Sequence, residues 1–163
     1  MRTNKSKPVK ASQVELVQLV IPSDTNPLGN LLGGRLMQWI DIAGAIAAAR
    51  HTNRICVTAS VDALHFLHPI KLGEVVILQA SVNRTFRTSL EVGVKVIKEN
   101  LITGERKHTN SAYLTYVAIN KKGKPIPIIP VKPESEEEIQ RFKEAAERRE
   151  TRLSYLKKER IKL

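Results

Sequence analysis

The segment from Gly34 to Arg50 sets the tightest limit on how this chain folds. Leu36, Met37, Trp39, Ile40, Ile42, Ala43, Ala45, Ile46, Ala47, Ala48 and Ala49 surround nearly the whole circumference of a helix. A helix that is apolar all round has to be covered on most sides. The residues after it can supply that cover. Four runs rich in Val, Ile, Thr and Tyr, at about 55–66, 74–85, 88–99 and 107–119, are divided by turn signals at Pro69, Gly73, Thr103 and Gly104. A fifth strand-like run, residues 13–21, precedes the helix and closes at Pro22. Between Leu90 and Ile97, Leu90, Val92, Val94 and Val96 alternate with Glu91, Gly93 and Lys95, which predicts one dry face and one wet face. One strand, one buried helix and four more strands predict an α+β fold, an antiparallel sheet wrapped around a central helix.

The chain has 163 residues, the size of one domain with an appendage. Residues 1–11 read as a flexible basic N-terminus, 12–133 as the domain, and 134–163 as a charged C-terminal helix behind the proline-rich connector 125–133. Ser135 and Glu138 form a capping-box pattern, with glutamates crowding the start of that helix and Lys and Arg its end. Ile139, Phe142, Ala146, Leu153 and Leu156 give it an incomplete apolar stripe, so it is expected to dock on the body or on a neighbouring subunit. No apolar run approaches the roughly 20 residues needed to span a bilayer, and no signal-type segment comes after Met1. Cys56 is the only cysteine, which excludes an internal disulfide and fits a reducing, cytoplasmic setting. No metal site is expected, because His51, His65, His68 and His108 lack ligand-like spacing.

The formal charge is +11, and residues 1–133 carry 18 Lys and Arg against 8 Asp and Glu. The excess thus belongs to the body and suits a polyanionic partner: nucleic acid, a lipid surface or a phosphorylated small molecule.

Chemistry concentrates in residues 24–41. Asp41 interrupts the apolar helix, and a carboxylate there has to be paired or used. Its plain alternatives are a strand backbone, Arg35 or Arg54. Gln38, three residues earlier, is expected on the same side. Gly33 and Gly34 leave backbone N–H groups unobstructed at the helix start, where they can hold a developing oxyanion or simply pack close to a strand. Asn26, before Pro27, is either a turn residue or a group that orients water. A loop amide, an oxyanion donor pair and a carboxylate are the parts that hydrolysis of an activated acyl group requires.

The run from Asp24 through Gly34, with Asp41 on the helix, resembles the hot-dog-fold acyl-CoA thioesterases of the cytosolic acyl-CoA hydrolase family. Asp62 to Ile70, Glu99 to Gly104, and Thr109 with Asn110 extend the resemblance, which covers about residues 12–150. It implies hydrolysis of fatty acyl-CoA, with Asn26 and Asp41 as catalytic residues and Gly33 and Gly34 facing the thioester carbonyl. It implies CoA-phosphate contacts at Arg87, Thr88 and Ser89, with Arg84 as a further candidate. No resident cofactor is implied, since coenzyme A is part of the substrate. The implied partners are acyl-CoA or CoA and further copies of the chain, a dimer at least and a hexamer as trimer of dimers, with sites shared between subunits. His65 receives no role. A dehydratase on the same fold would want a histidine near the helix carboxylate, and none lies between Met1 and Arg50. The alternative is a non-catalytic module that binds CoA or nucleic acid, although Phe86 is the only aromatic in the basic turn.

Overall fold

A computed structural model describes residues 5–160. In chain order its elements are β1 (Lys7–Pro8), β2 (Val14–Leu19), α1 (Gly33–Thr52), β3 (Ile55–Val61), β4 (Val75–Thr85), β5 (Ser89–Glu99), β6 (Arg106–Ile119), β7 (Val131–Lys132) and α2 (Glu136–Arg160). Strands β2 to β6 form one antiparallel sheet in the order β2-β4-β5-β6-β3, curled around α1. Its inner face presents Val76, Leu78, Ala80 and Val82 from β4, Leu90, Val92, Val94 and Val96 from β5, and Ala112, Leu114 and Tyr116 from β6. Leu36, Trp39, Ile40, Ala43, Ala47 and Ala48 of α1 fill the space between them. The helix is not enclosed all round: Ile42 and Ala49 are exposed, and Asp41, Ala45 and Ile46 are half-buried. One stripe of α1 therefore stays open in the single chain, beside the edge strand β3. No helix among the described residues is long and apolar enough to cross a membrane.

The N-terminal segment departs from the expected flexible tail. Lys7 and Pro8 pair in parallel with Val131 and Lys132, and Val9 and Ser12 are buried. Ser12 Oγ donates to Val9 O at 2.7 Å and accepts from Val82 N at 2.9 Å, where β4 bulges. The side chain of Lys7 reaches the end of α1, donating to the carbonyls of Arg50 and His51 at 3.2 and 2.8 Å and to Asn53 Oδ1. A cation on orphan carbonyls complements the helix dipole, and Asn53 closes the helix in the left-handed conformation at φ 52°. Residues 1–4 of the expected tail lie outside the described residues.

His51, in this last turn of α1, is fully buried, with Nε2 2.8 Å from Ile129 O. Burial and the charge of Lys7 hold its pKa below the ordinary value of 6.5. The folded state thus binds fewer protons than the unfolded state below about pH 6.5, so stability falls as pH falls through that range. Replacing His51 by Gln is expected to flatten that part of the profile, as read by urea denaturation across about pH 5 to 7.5.

Strand β3 ends at Val61, earlier than the expected 66. Asp62 N still donates to Tyr113 O of β6 at 3.0 Å, the Asp62 side chain pairs with Arg152 at 2.8 Å, and Asn110 Nδ2 of β6 holds His65 O, so residues 62–65 stay against β6 outside the regular pairing. The alternation in β5 places its apolar residues inward as expected, but Glu91 does not face water. It is fully buried, because α2 lies across the outer face and sets Arg148 Nη2 2.7 Å from Glu91 Oε1. Asn83 Nδ2 donates to the same oxygen at 2.9 Å. Gly93 makes room for that amide, since a Cβ there would stand 2.8 Å from Asn83 Nδ2.

The capping box forms, with Glu138 N donating to Ser135 Oγ and Ser135 N to Glu138 Oε2, both at 3.2 Å. The expected apolar stripe docks only in part: Phe142 packs against the core and Ala146 is half-buried, whereas Ile139, Leu153 and Leu156 are 40–49% exposed. Guanidinium groups add to that contact, with Ala145 buried among them. Arg148 lies 3.6 Å over the Tyr113 ring, Arg149 4.2 Å over Phe86, and Arg84 of the sheet 4.0 Å over Phe142. Arg148→Ala would strand a buried carboxylate, so a loss of about 3–5 kcal/mol is expected in chemical denaturation. Replacing Glu91 and Arg148 together by Leu and Met should return most of it.

Candidate active site

The loop before α1 is built on two side chains. Asp24, buried, accepts from Ile21 N at 3.2 Å and pairs with Arg35 Nε at 3.0 Å, while its own carbonyl accepts Leu32 N. Asn26 Oδ1 accepts from Leu28 N and Asn30 N at 3.0 and 3.1 Å, which folds the turn around it. Its acceptor is thereby used by the loop, and Nδ2, with no partner among the described residues, remains as the group that can meet a ligand. The turn is tied to the chain beyond β3 through Leu31 N to Ile70 O and Leu72 N to Gly29 O.

Leu32 stands at the N-cap of α1 and supplies no side-chain cap. Arg35 N and Leu36 N bond back to Leu32 O, whereas the N–H groups of Gly33 and Gly34 point out of the helix start without a backbone acceptor. A cavity of about 240 Å³ opens there, lined by Asn30, Gly33, Leu36, Phe66 and His68. The Phe66 ring lies 3.6 Å from where a Gly33 Cβ would be.

Asp41 is placed differently from any of the plain alternatives. It touches neither Arg35, which pairs with Asp24, nor Arg54 among the described residues. Gln38 does not face it in contact, because its side chain accepts from Arg35 Nη1 at 2.9 Å. Instead Thr58 Oγ1 of β3 donates to Asp41 Oδ1 at 2.7 Å, and Tyr116 of β6 donates to the same oxygen at 3.1 Å. Oδ2 has no partner among the described residues. Neither Thr58 nor Tyr116 is visible as a site residue in the sequence, since both residue types are common in strands.

Asn26, Gly34 and Asp41 do not meet within one chain. Gly34 and Asp41 are seven residues apart, about 10 Å along the axis at ~1.5 Å per residue. A carbonyl held by an oxyanion donor and attacked by a bound water needs steps of only about 3 Å. The carboxylate is also turned toward β3 and β6, while the turn that Asn26 folds is tied to residues 70–72 through Gly29, Asn30 and Leu31.

The CoA candidates divide. Arg84 is committed to α2, donating to Phe142 O at 3.1 Å in addition to covering its ring. Arg87, Thr88 and Ser89 form the β4–β5 turn, with Arg87 exposed and the backbone fixed by Ile128 N to Arg87 O and Ala118 N to Thr88 O. These anchors set the turn near a groove of about 980 Å³ lined by Ala45, Ala49, Arg54, Cys56, Lys121 and Ile126 among others. The groove runs along the face of α1 that also carries Asp41, because positions 45 and 49 come after 41 at helical intervals.

A curled antiparallel sheet around one long helix, with a carboxylate on that helix and free amides at its start, defines a hot-dog protein of the thioesterase type, and the chain belongs to the hot-dog acyl-CoA thioesterases. The thioesterase superfamily matches residues 28–105. The chain is 45% identical over 148 residues to a Bacillus subtilis protein named as an uncharacterized acyl-CoA thioester hydrolase, YkhA, covering 91% of this chain and 86% of that one. A crystal structure of an apo-hexameric acyl-CoA thioesterase superposes with a TM-score of 0.90 at 40% identity, over 93% of this chain and 97% of the other. The acyl-CoA hydrolase of Staphylococcus aureus, solved with butyryl-CoA, CoA and CoA disulfide, gives 0.86 at 32% identity over 94% and 96%. That enzyme has also been solved as three variants in which an Asp, a Thr or an Asn is replaced by Ala.

Proposed function

We propose that the protein hydrolyses fatty acyl-CoA to a free fatty acid and CoA, with Asp41 as general base. The observation that carries this reading is the Asp41 carboxylate: half-buried on the open stripe of α1, with Oδ1 occupied by two hydroxyls and Oδ2 left free. A water on Oδ2 gives up its proton there and adds to the thioester carbonyl carbon. Collapse of the tetrahedral intermediate breaks the C–S bond, and the proton returns from Asp41 to the leaving thiolate. Gly33 and Gly34 N–H groups stabilise the oxyanion, and Asn26 Nδ2 donates to the substrate carbonyl or to the water. The S. aureus variants support this assignment. Their numbering leaves intervals of 15 and 17 residues, the same as separate Asn26, Asp41 and Thr58. CoA enters as substrate and no resident cofactor is required. Arg87, Thr88 and Ser89 are proposed to bind its phosphates, while Arg84 acts chiefly on α2.

Two copies complete the site in this reading. Strand β3 has one free edge, and Ile55, Val57 and Val61 on it are 38–63% exposed, next to the open Ile42 of α1. An apolar, unpaired edge of this kind is covered by pairing. A two-fold pairing there sets Asp41 of one protomer against the helix start and Asn26 of its partner. Dimers of this type would build the hexamer.

Of the alternative, a module that only binds CoA or nucleic acid, the nucleic-acid form loses its stacking platform, because Arg149 covers Phe86. Thiol release from acyl-CoA across chain lengths, run beside calorimetric CoA binding, separates the two. Turnover is expected; binding without thiol release would overturn the enzymatic reading. Light scattering is expected to show a dimer or a multiple of it, and a monomer that still turns over would remove the shared site.

A further inference from the structure

Tyr116 is fully buried on the inner face of β6, and its hydroxyl proton is shared between the backbone carbonyl of Asp41 at 2.9 Å and Asp41 Oδ1 at 3.1 Å. It reaches that position only because residue 44, one turn along α1, is glycine. A Cβ on Gly44 would stand 2.3 Å from the Tyr116 hydroxyl oxygen. Glycine inside a helix costs stability relative to alanine, and a core-facing strand position is filled more simply by Phe than by a phenol that needs a partner. The ring itself also needs the glycine, for a Cβ at 44 would stand 3.0 Å from Tyr116 Cζ and 3.1 Å from Cε2. The pair present trades helix stability for a buried phenol whose proton is shared between the Asp41 carbonyl and the carboxylate of the proposed base.

Resting on the reading of Asp41 as base, we propose that Tyr116 is a positioning residue, seated over Gly44 and acting with Thr58 to fix Asp41 so that Oδ2 alone meets the reacting water. The two donors approach Oδ1 from different strands, Thr58 on β3 and Tyr116 on β6, and together they lock the rotation of the carboxyl group. Burial, with the charge of Asp41 and the hydrogen bond to it, pushes the Tyr116 phenol far above its ordinary range. The phenol is thereby favoured in its protonated, donating form.

The test compares wild type with Asp41→Asn, Tyr116→Phe and Gly44→Ala in the thiol-release assay, with thermal melts on each. Wild type releasing thiol and Asp41→Asn losing that activity would establish the underlying reading. Given that, Tyr116→Phe is expected to melt near or above the wild-type temperature, to lose about 10–100-fold in kcat, and to change KM by less than about threefold. Gly44→Ala crowds the ring as well as the hydroxyl, so it is expected to lower the melt together with kcat, and Tyr116→Phe alone is read for the split. Wild-type kcat in Tyr116→Phe, beside an inactive Asp41→Asn, would overturn the proposal and leave Asp41 as base. A fall in kcat of Tyr116→Phe matched by collapse of its melt would also overturn it, by making Tyr116 a core residue only.

Discussion

Replacing Asp41 by Asn is expected to lower kcat by about 10²–10⁴-fold, the contribution of a positioned general base, while the melting temperature stays within a few degrees. Asn keeps the shape, and its amide oxygen can still accept from Thr58 Oγ1 and Tyr116, the two donors that now hold Oδ1. What is lost is the atom without a partner. An amide nitrogen in the place of Oδ2 cannot take a proton from water, so the loss should appear in kcat and only weakly in KM. Initial rates of thiol release at saturating acyl-CoA check this. Turnover within about fivefold of wild type would remove Asp41 from the chemistry.

The second large effect concerns two inactive chains that become active when combined. Asn26→Ala and Asp41→Ala should each be nearly inactive alone. In a mixed dimer with shared sites, one site carries both lesions and the other carries neither. Random assortment makes about half of all dimers mixed, so co-expression should recover about a quarter of wild-type activity per chain. The geometry behind this is the separation of about 10 Å along α1 between the Gly34 amide and Asp41, together with the turning of Asp41 toward β3. If both residues served one site within a chain, every site in the mixture would carry a lesion and activity would stay at the single-variant floor.

How far the sequence could be read depended on whether the information was local. The central helix was plain, since eleven apolar residues around one circumference leave few other solutions, and its observed span of Gly33–Thr52 differs from the expected one by a residue or two. Strands β4, β5 and β6 were equally legible from runs of Val, Ile, Thr and Tyr between turn residues, and β5 from its alternation as well. Glu91 was misjudged because a two-residue period says which face a side chain takes and nothing about what later lands on that face. The cover comes from Arg148, 57 residues further on. The same holds for the N-terminal arm. Lys7 looks like one more charge in a basic tail until the carbonyls at the end of α1 are placed beside it. In the site, Asp41 was conspicuous as the wrong residue type for its surroundings, whereas Thr58 and Tyr116 suit their strands and gave no sign. Gly44 was silent for a related reason: among alanines it reads as one more small residue, and only the Tyr116 side chain above it shows why glycine stands there.

The way α2 is fastened has a consequence for the history of chains like this one. Its underside is guanidinium, carboxylate and aromatic ring, with Ala145 as its one buried apolar residue. Lifting it away would wet Glu91, Arg148, Asp62 and Arg152, groups that hydrate readily, and would bare hydrocarbon chiefly where Phe142 packs on the core. A layer attached in this way can be lost, lengthened or replaced without leaving behind a surface that aggregates. The sheet and its central helix are thus free to keep one chemistry while the C-terminal segment diverges.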